Sequence, residues 1–230
     1  MTRSNQLPAP EDKARTVRSM FDSIAPRYDF VNRVMTFGLD IGWRRRAVGE
    51  LKLQRNALVL DVACGTGDFC RELRKAGLMA IGVDFSWGML AAARTSAPLI
   101  QADALALPLA QASLDGITCG FALRNVDDIG ALFEAFARSV RPGGRVALLE
   151  VSEPERALLR AGHQLYFQKV VPLIGGLLSD RSAYRYLPAS TAYLPPPAEL
   201  LAQLAEAGFV DVRRTLVALG AAQLVTGTRA

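Results

Sequence analysis

Histidine is almost missing from this chain of 230 residues, with His163 alone, and cysteine is confined to Cys64, Cys70 and Cys119. A structural metal needs clustered ligands, and neither CxxC nor HxxH spacing occurs, so a metal is not expected. An odd, sparse set of thiols is also a poor disulfide framework and fits a reducing compartment. Long apolar runs are absent too. The longest uncharged stretch, Thr215 to Thr228, is too short and too glycine-interrupted for the roughly 20 apolar residues a bilayer span requires. Met1 to Pro10 has neither the apolar core nor the small-residue cleavage site of a secretory signal, so a cytoplasmic protein is expected. The interleaving of basic and aromatic residues that stacks bases is lacking as well, which argues against a nucleic-acid partner.

What is present describes a globular protein. Half the residues are hydrophobic and 21% are charged, a balance unlike that of disordered or collagenous chains. The length suits one large domain over 1–230, with a helical cover over 1–55, a core over 56–152, a lid insertion over 153–197 and a closing helix and strand pair over 198–230. The net charge of +5 is placed unevenly, since residues 1–55 hold 11 Lys and Arg against 6 Asp and Glu, and the remainder is balanced at 16 against 16. Such a basic segment is either a solvated face or a docking face for an anionic membrane.

Hydrophobic periodicity orders the chain. Val17, Met20, Phe21 and Ile24 recur at helical spacing until Pro26 ends the pattern. Tyr28 to Trp43 is too polar for a core helix and too apolar for a linker, and reads as a segment that covers something. From Ala57 the rhythm is strand, turn, helix: strands at Ala57–Val62, Met79–Val83, Leu99–Ala102 and Leu114–Phe121, with helices at Phe69–Ala76 and Ser86–Arg94. Asp127 to Val140 is the clearest helix, stopped by Pro142-Gly143-Gly144 ahead of a strand at Arg145–Glu150. This alternation implies a parallel sheet covered on both faces. An aromatic and proline-rich stretch, Pro154 to Pro197, interrupts it. A helix at Ala198–Ala207 and strands at Phe209–Leu216 and Ala222–Thr228 then close the chain as an antiparallel hairpin at the sheet edge.

The strongest chemical signal is Leu60-Asp61-Val62-Ala63-Cys64-Gly65-Thr66-Gly67-Asp68, between the first strand and its helix. Glycine at 65 and 67 lets a cofactor approach bare backbone. Asp84 ends the second strand, where a carboxylate can accept ribose hydroxyls, and Asp103 follows the third. A nicotinamide dinucleotide is disfavoured, because Cys70 stands at the third glycine position and Asp68 would repel a pyrophosphate. A cationic sulfonium would favour Asp61 and Asp68, so this acidic set fits S-adenosylmethionine better. The alternative role of Asp61 and Asp68 is helix capping.

The loop from Asp61 to Asp68 resembles that of class I S-adenosylmethionine-dependent methyltransferases: a Rossmann-like α/β fold with a seven-stranded, mostly parallel sheet. Three further segments resemble the ubiquinone/menaquinone biosynthesis C-methyltransferases: Phe21 to Asn32 continuing to Trp43, Leu123-Arg124-Asn125, and Arg141-Pro142-Gly143-Gly144 through Leu149-Glu150-Val151-Ser152. Ser182 to Leu187 is a weaker fourth. The chain departs from the family's pattern at Asp40, where His is usual, and at Ala122, where Gly is usual. Asp40 is therefore given no general-base role.

The resemblance implies methylation of a ring carbon of a polyprenylated quinol, demethylmenaquinol or its counterpart in ubiquinone synthesis. It implies cofactor contacts at Asp61, Gly65, Thr66, Gly67, Asp84, Phe85, Asp103, Ala104 and Gly120, and substrate contacts at Tyr28, Asp29, Arg124, Tyr184 and Tyr186. Arg124, Asn125 and Asp103 would hold the quinol hydroxyl, with Arg124 stabilising phenolate charge and Asp103 receiving the proton through solvent. Tyr166, Phe167, Tyr184 and Tyr186 either line a prenyl-tail groove or form the lid's own core. His163 reads as a polar helix residue outside the chemistry, and the cysteines as packing residues. A lipid-borne substrate would bring the protein to the membrane surface through the basic N-terminal segment, with Arg44, Arg45 and Arg46 as its docking cations. Homodimerisation is a further expectation.

Overall fold

The computed structural model describes residues 10–230, so Met1 to Ala9, most of the segment read against a secretory signal, lie outside the described residues. Helices α1 (Pro10–Ile24), α2 (Tyr28–Met35) and α3 (Leu39–Glu50) come first. The segment from Tyr28 to Trp43 is thus helical despite its polarity, because its charged side chains turn inward and are neutralised there: Asp40 and Arg44 are both buried and bridge each other.

The alternating region follows as β1 (Leu58–Val62), α4 (Asp68–Lys75), β2 (Met79–Asp84), α5 (Trp87–Ala91), β3 (Leu99–Gln101), β4 (Leu114–Gly120), α6 (Ile129–Ser139) and β5 (Val140–Val151). After it come α7 (Ala157–Leu165), α8 (Val171–Leu178), α9 (Arg181–Ser190), α10 (Pro197–Glu206), β6 (Phe209–Val217) and β7 (Ala222–Arg229). The seven strands form one sheet in the order β3-β2-β1-β4-β5-β7-β6. Strands β1 to β5 pair in parallel, whereas β7 enters between β5 and β6 and runs antiparallel to both. The expected hairpin is at the edge, and the sheet is mostly parallel.

Because strand side chains alternate between faces, β1 sends Leu60 and Val62 into a core shared with α6 and α10. Val59 points the other way, into a core built with α3 and α4. Two local expectations need correction. The Pro-Gly-Gly segment is not simply a helix stop: α6 ends at Ser139, Val140 already pairs with Leu114, and the register resumes at Gly116 with Arg145. Residues 141–144 therefore bulge out of β5, with Gly143 at φ +77°. Helix α5 is shorter than its periodicity suggests because the Arg94 N–H leaves the helix to donate to the Thr66 carbonyl at 3.0 Å.

In the lid, α7 and α8 are joined by a wide helical turn over Tyr166–Val170. Tyr184, expected to touch substrate, is fully buried in a cluster with Ile24, Val31 and Met89, and so belongs to the packing between lid and cover. Its ring lies directly on Gly175, where a Cβ would stand 2.0 Å from Tyr184 Cγ. Gly175→Ala is therefore expected to overpack this seam and lower stability by about 1–3 kcal/mol, read as a shift in the denaturant midpoint. An unchanged midpoint would show that the Tyr184 ring is not held there.

Candidate active site

Strands β1 and β4 are neighbours whose onward connections run to opposite sides of the sheet, which opens a crevice beyond their carboxyl ends. A cavity occupies that crevice. Its floor is Ala63 and Gly65 after β1, Asp84 and Phe85 at the end of β2, Ala102, Asp103 and Ala104 after β3, and Gly120 with Phe121 at the end of β4. Ala14, Val17 and Phe21 of α1 roof it. The periodicity of α1 had shown an apolar face without showing what that face covers. Ala63 and Phe121 hold φ values of +52° and +59°, left-handed conformations that L side chains seldom adopt. Such strain concentrates at functional sites, and no sequence signal marks these two residues.

Asp84 lines this wall with its carboxylate held by backbone donors. Its Oδ2 accepts the Gly65 N–H at 2.8 Å and its Oδ1 the Ser86 N–H at 2.9 Å. Burial raises its pKa, opposed by these backbone donors. Asp103 accepts the Leu105 N–H at 2.9 Å and lies in the same wall. At Gly65, with φ +55°, a Cβ would meet nothing within 4 Å, so bare backbone borders open space.

The rest of the loop does not line this cavity. Asp61 is buried on the α4 side of the sheet, accepting from Thr118 Oγ1 at 2.9 Å and facing the Cys70 thiol. Thr66 donates to Asp29, and Arg71 lies 3.5 Å from the same carboxylate, so Asp29 serves the loop and borders neither this cavity nor the second one. At Gly67, a Cβ would stand 2.7 Å from Thr95 Cγ2, a packing reason for glycine. Gly120 does border the cavity, although its glycine also makes room for the Phe69 ring.

Asp68 is not a free charge for a sulfonium either. Arg33 meets it at 2.7 Å, Arg44 at 3.5 Å, and Arg71 bonds it as well. Burial would raise its pKa, but these three guanidinium groups outweigh that and hold it low. Arg33 and Arg44 also bridge Asp40, which accepts from Thr36 Oγ1 at 2.8 Å. Arg44 is consequently buried and unavailable for docking, and Arg45 lies 3.3 Å from Glu72.

A second cavity adjoins the first, and Tyr28 and Phe121 line both. Its walls are largely apolar: Met35, Phe37, Leu39, Trp43, Phe167, Val171 and Leu187, with Arg124, Tyr166 and His163 among them. Arg124 is buried; its guanidinium bonds Glu150, the Phe121 carbonyl at 2.8 Å and Ser190 Oγ at 3.1 Å. Its charge is thus already balanced, which removes the expected role of a free cation for a phenolate. Asn125 and Asp103 border the first cavity whereas Arg124 borders the second, so the expected trio is not gathered at one point. Tyr186 donates to Asn125 Oδ1 at 3.2 Å and lines neither cavity.

A seven-stranded sheet of this order, with a glycine-bearing loop after β1 and carboxylates beyond β2 and β3, defines the class I methyltransferase fold. Solved structures share it. The chain superposes on a SAM-dependent methyltransferase of Thermotoga maritima with a TM-score of 0.65 at 20% identity, over 92% of this chain and 99% of that one. It superposes on a phosphoethanolamine N-methyltransferase of Haemonchus contortus with a TM-score of 0.61 at 14% identity, over 82% and 52% respectively. These likenesses speak for the fold. The chain belongs to the ubiE/COQ5 methyltransferase family, whose sequence model matches residues 9–229. It is 46% identical to the demethylmenaquinone methyltransferase of Roseiflexus castenholzii over 98% of both chains. It is 40% identical to the ubiquinone/menaquinone biosynthesis C-methyltransferase UbiE of Geotalea daltonii, over 95% of this chain and 98% of that one. No helix among the described residues is long and apolar enough to cross a membrane.

Two outcomes follow from the buried carboxylates. Asp40→Asn leaves Arg33 and Arg44 short of a counter-charge and is expected to cost about 3–5 kcal/mol in denaturant unfolding. Burial pushes Asp61 up to about 7, so the folded state holds a proton that the unfolded chain releases above its ordinary carboxylate pKa of 3.8. That contribution to stability is full below the unfolded value and is lost as pH rises through about 7. In Asp61→Asn this part of the stability–pH curve is expected to vanish, and parallel curves for variant and wild type would contradict the assignment.

Proposed function

We propose that the chain transfers the methyl group of S-adenosylmethionine to the ring carbon of demethylmenaquinol, giving menaquinol. The observation that carries this reading is the junction of two unlike cavities, one edged by Asp84 and Asp103 and one apolar, at the shared walls Tyr28 and Phe121. Bound there, S-adenosylmethionine supplies an electrophilic methyl group on a sulfonium. Asp84 would accept ribose hydroxyls, the Gly65 backbone would border the amino-acid tail, and Phe85, Asp103 and Ala104 would flank the adenine. Family membership and the names of the full-length relatives support the quinol. Ring carbon is a weak nucleophile unless an adjacent hydroxyl donates electron density, so the reduced quinol reacts and the quinone does not. Roofing by α1 would exclude water from the bound cofactor, and transfer requires the shared walls to hold ring and methyl group in line.

The membrane contact is assigned to the lid rather than to Arg44, Arg45 and Arg46. Leu158, Leu165, Leu173 and Leu177 of α7 and α8 stand 85%, 57%, 62% and 75% exposed. Phe37, 78% exposed, packs near Tyr166 at the rim of the apolar cavity. A prenyl tail leaving that cavity would meet this apolar face, and Lys169 beside it is exposed.

Calorimetry with S-adenosylmethionine is expected to show binding by the wild type and a loss of at least about tenfold in Asp84→Ala, the equivalent of ~1.4 kcal/mol. Labelled methyl should appear in reduced demethylnaphthoquinol and not in the oxidised quinone. Transfer to neither, by protein that binds the cofactor, would sink the substrate assignment. In flotation with anionic vesicles, Leu173→Glu with Leu177→Glu should release the protein, whereas Arg46→Gln should change little. The reverse pattern would return docking to the N-terminal segment.

A further inference from the structure

Methylation at a ring carbon calls for a base, and the apolar cavity offers few. Its titratable groups come from four places: Tyr28, Asp40 and Arg44 on the cover, Arg124 after β4, Tyr166 in the wide turn, and His163 on α7. Asp40 is engaged by Thr36, Arg33 and Arg44. Arg124 is engaged by Glu150 and Ser190. The Tyr166 hydroxyl donates to the Met35 carbonyl at 2.7 Å. Burial raises the Tyr28 phenol, which keeps it a donor at neutral pH. His163 differs from all of these. Its Nδ1 is buried without a hydrogen-bond partner, and its ring stacks on Phe167 at 5.3 Å. Buried nitrogen is seldom left unsatisfied, and where it is, a role for a ligand is the first explanation to test. Burial also lowers the imidazole pKa, opposed by the charge of Glu153, so the neutral ring with a free lone pair prevails at neutral pH.

Building on the quinol reading, we infer that His163 is the base of the reaction, accepting the proton of the quinol hydroxyl. As that O–H proton passes to the imidazole, the ring carbon forms its bond to the methyl group, and the electron pair of the broken methyl–sulfur bond stays on sulfur. The methylated ring carbon then sheds its own hydrogen to water as a proton. The imidazolium returns its proton to the oxygen, which restores the aromatic quinol and the neutral base.

Because His163 is the chain's only histidine, its imidazole resonances in tag-free protein need no assignment by mutation. The probe is 1,4-dihydroxynaphthalene, kept reduced, titrated into protein saturated with S-adenosylhomocysteine, with calorimetry reporting its binding separately. The imidazole nitrogen signals are expected to move along the same curve as the calorimetric isotherm. His163→Gln should keep its affinity for S-adenosylmethionine and the quinol KM while kcat falls by about 10²–10⁴-fold. Its kcat/KM profile should lose the acid limb, which in the wild type lies below pH 6.5 because burial lowers the imidazole pKa. Added imidazole should restore part of the rate to His163→Ala. Calorimetric binding without movement of the imidazole signals, or His163→Gln with wild-type kcat, would overturn the role of His163 and leave the quinol reading standing. Absence of both probe binding and quinol methylation in the wild type would remove the quinol reading and this inference with it.

Discussion

Two buried carboxylates, Asp40 and Asp68, hold Arg33, Arg44 and Arg71 between them, and the placement of both cavities depends on that cluster. Asp40, Arg33 and Arg44 belong to the cover; Asp68 and Arg71 belong to α4, immediately after the cofactor loop. Charges taken out of water destabilise unless they are matched, so the cover can seat only where opposite signs meet. Once seated, Arg44 lies over the Phe121 ring at 5.4 Å, and Phe121 is one of the two walls the cavities share. An apolar seam alone would tolerate sliding. A matched ionic seam fixes the cover to within a hydrogen bond of the loop.

The same constraint explains what the sequence made legible. Strand, turn and helix follow one another through local chemistry, so the alternation from Leu58 to Ser139 and the edge hairpin could be read directly, as could Gly65 and Asp84 beyond their strands. Asp61, Asp68, Asp29 and Arg44 could not, because Thr118 for Asp61, Arg33 for Asp68, Thr66 for Asp29 and Asp68 for Arg44 lie tens of residues away, and a carboxylate near a glycine loop looks the same whether it faces ligand or arginine. Tyr184 misled for a related reason. An aromatic in a lid resembles a ligand contact until Gly175 is seen beneath it. His163 is not legible in the sequence because a lone histidine on a helix carries no pattern, and the cavity it borders exists only in the fold.

Division of labour between the two cavities answers a physical conflict. A cofactor rich in hydroxyls and charge wants carboxylates and bare amide groups, whereas an aromatic ring with a lipid tail wants surfaces without either. One chamber serving both would leave polar groups facing apolar tail, each costing roughly 1–3 kcal/mol if unpaired. Here Asp84 and Asp103 stand at the ends of β2 and β3, whereas the walls supplied by α2, α3 and the lid are mostly apolar, and the charged groups among them are paired, Asp40 with Arg44 and Arg124 with Glu150. The two cavities meet at Tyr28 and Phe121, neither of which bears a charge at neutral pH.

That partition also limits how the chemistry can be done. Where arginines and carboxylates are consumed by structure, Arg124 by Glu150 and Asp40 by Arg33 and Arg44, the site has few unspent charges with which to activate a phenol. A neutral base suits such a place better than a carboxylate would. Its lone pair needs no counter-charge to remain buried, and the charge it acquires on taking a proton exists only while the ring oxygen has given one up. A family member carrying imidazole among apolar walls therefore meets the demand for a base without adding a permanent charge to the route a prenyl tail must follow.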